Sequence, residues 1–146
     1  MEIIFPDLER YLLDNAPPHV ARSIAPETLE DLQAAGPGPM VVWNGASTRT
    51  IYSAPEVNFA YRAYHDATHL AHGLTTSLED EHRVSVLHQE HAHAAGLPWL
   101  DRAALWFDSQ GQNEYFAKHG EFMTDQRAFV LACMALGLKR TLNTKW

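Results

Sequence analysis

A mainly α-helical domain of about five to six helices, with a small β-hairpin near residues 40–52, is what the sequence predicts. Three observations lead there. Helix-start signals recur at Pro6, Ser53, Ser77 and Pro98, and glycines close helical segments at Gly73, Gly96, Gly120 and Gly137. Apolar residues between them recur at helical spacing. The only strand-like text is MVVWN and RTIYS, on either side of Gly45-Ala46-Ser47.

Taken in order, PDLERYLLDN carries Leu8, Tyr11 and Leu12 on one helical face and ends at Pro17-Pro18. A second helix is expected from near Pro26, with Leu29 and Leu32 inward, stopping at Gly36; GPGPM then allows no regular element. Ser53-Ala-Pro-Glu56 reads as a capping box for a helix to about His72. Ser77-Leu-Glu-Asp80 is a second cap, for a helix ending near Gly96. Pro98 opens a helix through to Gly120, and Thr124 is expected to cap the last one, which closes at Gly137.

The chain has 146 residues, 46% of them hydrophobic, which suits one domain, residues 1–146, with a proper core. Eleven Lys and Arg against 18 Asp and Glu give a net charge of −7, which argues against nucleic acid and anionic membranes as partners. No apolar run approaches the roughly 20 residues of a membrane span, and MEIIFPDLER is not a signal peptide, so a cytoplasmic location is expected. The single cysteine, Cys133, sits in FVLACMALGL and reads as a buried, inert thiol.

Chemistry concentrates in YRAYHDATHLAHGLTTSLEDE, residues 61–81. On a wheel of ~100° per residue, His65, His69 and Asp66 span about 100°, so two histidines at i and i+4 can reach one ion. Glu81 stands as far past Ser77 as His69 stands before Gly73. Across a short antiparallel turn the two should therefore lie level, each about 6 Å from its helix end. Glu81 shares its face with Val84, Ser85, His88 and Ala92, a stripe expected to point inward. Two histidines and two carboxylates make a mononuclear metal site of His65, Asp66, His69 and Glu81, suited to zinc first and to iron or manganese next. Asp66 has a second role open to it, orienting a histidine through its far ring nitrogen.

His65-Asp66-x-x-His69, eleven residues, then Glu81 resembles the HDxxH-x11-E signature of the COQ4 family, the coenzyme Q biosynthesis proteins. The resemblance covers residues 61–81 and implies a helical fold, metal ligation by His65, Asp66, His69 and Glu81, and decarboxylation and oxidation of a prenylated aromatic ring. The whole chain is similar to small proteins encoded by bacteriophages and bacteria.

Other polar residues read more plainly. His72 suits an exposed helix C-terminus, and Glu79, His82, Glu90 and His93 form a solvated face despite two Glu-x-x-His spacings. His88, about 10 Å from Glu81 along the axis, is either a plain buried histidine or a proton-transfer candidate behind the ligands, and Glu114, one turn after Gln110, is the other catalytic candidate. His19 and His119 are expected at the surface. The aromatics Trp43, Trp99, Trp106, Phe107, Tyr115 and Phe116 are expected in the core and rim, some walling a cavity.

These residues point to a metal-dependent enzyme acting on a small molecule by hydrolytic or lyase-type chemistry. One alternative is an HD-type phosphohydrolase, which would need His19 and one of Asp101, Asp108 or Asp125. Another is a non-catalytic protein that binds a protein partner, with a structural metal or none.

Overall fold

The computed structural model describes residues 2–146. Its elements are helix α1 (Pro6–Asn15), strand β1 (His19–Arg22), α2 (Leu29–Ala34), β2 (Met40–Trp43), α3 (Pro55–His72), α4 (Leu78–Ala94), α5 (Trp99–Trp106), α6 (Gln112–His119), α7 (Gln126–Leu136) and α8 (Leu138–Thr141). A π-helical segment, Phe107–Gly111, joins α5 to α6 without a break. The fold is mainly helical, as expected, and no helix among the described residues is long and apolar enough to cross a membrane.

The β element differs from the expected hairpin. Met40–Trp43 is a strand, but its partner is His19–Arg22, paired in parallel with Val20 opposite Val41. Residues 44–54 form no strand. Ile51 and Tyr52, which made RTIYS look like one, are instead 0% and 2% exposed and serve as core anchors within an irregular segment. Burying such side chains stabilises by about 1.5–3 kcal/mol each, whatever the backbone does.

Those anchors join Leu8 and Leu12 of α1, Val57 and Tyr64 of α3, Leu105 of α5, Tyr115 of α6, and Phe129, Val130 and Cys133 of α7 in one core cluster. Polar ties fix α1 to its neighbours. The Leu8 amide donates to Asp101 on α5 at 2.9 Å, and the Glu9 carboxylate accepts from both the amide and hydroxyl of Ser53 at 2.9 and 2.6 Å. Ser53 is thus committed to Glu9, and the capping box read from it does not form: Ala54 is the N-cap of α3 and makes no side-chain cap.

Ser77 does cap α4, its hydroxyl accepting from the Asp80 amide at 3.2 Å. At the last long helix the cap is Asp125, accepting from Ala128 at 2.9 Å, and not the neighbouring Thr124. Asp125→Ala is therefore expected to cost about 1 kcal/mol in urea denaturation, and Thr124→Ala only a few tenths. Equal losses would contradict the assignment.

Candidate metal centre

The end of α3 and the start of α4 form the site. Gly73 closes α3 at φ +62°, a left-handed conformation natural to glycine, and its turn returns the Leu74 amide to the His69 carbonyl at 3.0 Å. The same turn holds the His69 ring, whose Nδ1 donates to the Leu74 carbonyl at 2.8 Å. On the far side, the Thr75 amide and hydroxyl both donate to Asp80, at 2.8 and 2.7 Å. These bonds fix where α4 begins and put Glu81 in its first turn, where the helix dipole favours a carboxylate.

His65, His69 and Glu81 meet there and are close enough together to hold a metal ion. His69 Nε2 lies 2.8 Å from Glu81 Oε1, His65 Nε2 lies 3.3 Å from Glu81 Oε2, and the two Nε2 atoms are 3.1 Å apart. A tetrahedral zinc with bonds of about 2.0–2.2 Å sets its donor atoms roughly 3.3–3.6 Å apart, so the trio fits with an opening of roughly 0.8 Å or less, largest between His69 and Glu81. The inward stripe on α4 is as expected, with Val84, Ser85, His88 and Ala92 all 0% exposed.

The ring nitrogens settle which atoms are free. The carbonyl at His69 Nδ1 can only accept, so that nitrogen carries the proton and Nε2 presents a lone pair when the ring is neutral. His65 Nδ1 lies 2.9 Å from His88 Nε2, and donation from His65 leaves its Nε2 as a lone pair too. Burial drives the His88 ring strongly toward its neutral form, and the charges of His65, His91 and His69 add to this, so it suits the acceptor role. Two lone pairs and a carboxylate then face one another, an arrangement that calls for a cation between them.

The electrostatics agree. Burial pushes the Glu81 carboxyl up, but the bonds and charges of His65 and His69 outweigh it and hold Glu81 at about 2. Burial pulls His69 down, and Glu81, the Leu74 carbonyl and Asp66 together raise it above the ordinary histidine value. Metal-free, the trio is held by a proton on His69.

The other sequence candidates fall as follows. Asp66 stands outside the trio, on the same helix; burial raises its carboxyl, while its charge acts on both His65 and His69. His88 sits behind His65, fully buried, with Nδ1 unpartnered. Glu114 is exposed on α6, where its charge acts on Cys133, and it does not line the cavity. His72, Glu79, His82, Glu90 and His93 are exposed. His19 lies on β1, bonded to the Pro17 carbonyl, and His119 bonds the Leu142 carbonyl.

Two of the trio, His65 and Glu81, line a cavity of about 400 Å³ together with Tyr61, Arg62, Asp108 and Trp43, while His69 lies behind them. Trp43 is thus a cavity wall, whereas Trp99 and Phe116 are exposed and Tyr115 is core. Arg62 holds the rim by donating to the carbonyls of Trp43 and Gly45 and to the Ser47 hydroxyl, with its guanidinium 5.2 Å from the Trp43 ring. Asp108 is the residue that spacing did not reveal as part of this site. It lies in the π segment, whose extra residue per turn rotates it inward, and π segments of this kind are frequent at functional sites. Of the three aspartates an HD-type phosphohydrolase could use, Asp108 alone lines the cavity, since Asp101 binds Leu8 and Asp125 caps α7.

No family model, curated protein or solved structure matches the chain.

Proposed function

We propose that the chain is a small metal-dependent enzyme whose mononuclear centre is held by His65, His69 and Glu81, zinc first and iron or manganese next. It acts on a small molecule in the adjoining cavity by hydrolytic or lyase-type chemistry. The observation that carries this reading is the convergence of two ring nitrogens and a carboxylate, with both far Nδ1 atoms engaged, beside a cavity. Three protein ligands suit a catalytic ion, which keeps an open position, better than a closed structural one. The bound ion would polarise a substrate oxygen or activate water. The chain's own part is to orient the ligands through Leu74 and His88, to hold the substrate between Tyr61 and Trp43, and to keep bulk water out.

Asp66 supports the ligands by its charge in this reading. Asp66→Asn is expected to weaken metal binding by about tenfold, at the lower end of the roughly 10–100-fold typical of outer partners. A complete loss of metal would make Asp66 a ligand.

The test of an open, catalytic centre is a thermal melt with and without chelator. The chelated protein should stay folded, with its midpoint lowered by the lost binding energy alone. Unfolding on chelation would instead identify a structural ion, and with it a non-catalytic binding protein.

A further inference from the structure

Resting on the metal-centre reading above, we infer that Asp108 is the residue that takes and returns the substrate's proton, from the α5–α6 wall of the cavity that His65 and Glu81 line. Asp108 is 3% exposed, yet it lines the same cavity as His65 and Glu81. Both of its oxygens are held: Tyr52 donates its hydroxyl to Oδ2 at 3.1 Å, and Gln112 donates Nε2 to Oδ1 at 2.7 Å. Gln112 is steadied in turn by Gln126 at 3.3 Å.

No cation forms an ion pair with Asp108 among the described residues, and the nearby Arg62 is occupied by the carbonyls of the rim. The groups acting on it are Tyr52 from the segment before α3, Tyr61, Arg62 and His65 from α3, and Gln112 from α6, with Glu81 of α4 in the same cavity. A buried carboxyl that is oriented but not neutralised is costly to keep, and such residues cluster at sites that move protons. Burial, against the pull of Tyr52, Gln112, Arg62 and His65, sets its carboxyl at about 6, between a free carboxylate and a histidine, where a group can both accept and release a proton near neutrality.

The step is one proton transfer. An O–H or N–H bond of the bound molecule breaks, its electron pair stays on that atom, and a new O–H bond forms on Asp108; the proton then passes to the product.

The test uses the zinc-loaded full chain with acetohydroxamic acid, a small zinc-binding acid, as the probe. On binding, the infrared difference spectrum should gain the C=O stretch of a protonated carboxyl. Asp108→Asn should lack that band and bind the probe about tenfold more weakly. Tyr52→Phe keeps the carboxyl but removes the donor to Oδ2, and should shift the band, which identifies Asp108 even if the asparagine variant does not fold. Zinc binding without probe binding, no new band in the unsubstituted protein, an unchanged band in Asp108→Asn, or an unmoved band in Tyr52→Phe would each overturn the assignment while leaving the metal centre standing. A chain that takes up no zinc overturns both.

Discussion

His69→Ala is expected to abolish metal retention: elemental analysis should find about one ion per chain in the reconstituted protein and less than a tenth of that in the variant. Losing one of three converging ligands exceeds the roughly 10–100-fold cost of losing an outer partner. His69 is 2% exposed and is fixed at both ring nitrogens, so no neighbour can take its place without moving the α3–α4 turn. The fold should lose about 2 kcal/mol, the lower end for a large-to-small change in a buried site. The pH dependence of metal uptake has a definite sign. His69 is raised by Glu81, so an entering ion must displace its proton, and apparent affinity should climb with pH by up to about tenfold per unit. The climb should level off once pH passes the raised His69 value. Metal titrations at several pH values across the histidine range check it; affinity independent of pH would mean that the ion binds elsewhere.

Asp108→Asn is expected to stabilise the metal-free protein, and only above acid pH. The carboxyl stands at about 6 in the fold against an ordinary value of 3.8. A folded value above the unfolded one means that stability is fully present below 3.8 and is lost as pH rises through 6. The two values differ by about two units, or ~3 kcal/mol. Asparagine has nearly the same shape and never ionises, so the variant should keep that increment at pH ~8 and gain several degrees in thermal midpoint. Near pH 4 the two proteins should melt alike. A variant less stable than the parent at both pH values would show that the carboxylate is a net structural asset.

How much of this could be read from residues alone depended on the range of the interaction. Helix ends were legible where a local signal closes a local bond, as at Gly73, Gly120 and Ser77. The His65–His69–Glu81 trio was legible for the same reason, since a short turn and helical spacing determine its geometry. The strand pairing was not, because β1 and β2 meet across α2 and nothing local to Met40–Trp43 names His19–Arg22 as its partner. Ser53 satisfied a local cap rule but was claimed by Glu9, far away in the chain. Asp108 was legible only as one of three aspartates for the HD-type alternative, because FDSQG scans as ordinary polar helix and the change from α to π winding leaves no mark in periodicity.

That winding makes the position of a carboxyl a matter of chain length. Phe107–Gly111 holds one residue more per stretch than an α-helix would need to connect α5 with α6. A single-residue deletion there would let the two helices run on as one, still burying Leu105 and Tyr115 after a modest twist, yet it would swing position 108 away from the cavity. One codon lost in this segment would thus separate a helical bundle in which His65, His69 and Glu81 converge from one that also sets an acid beside them, a smaller step than any pair of substitutions.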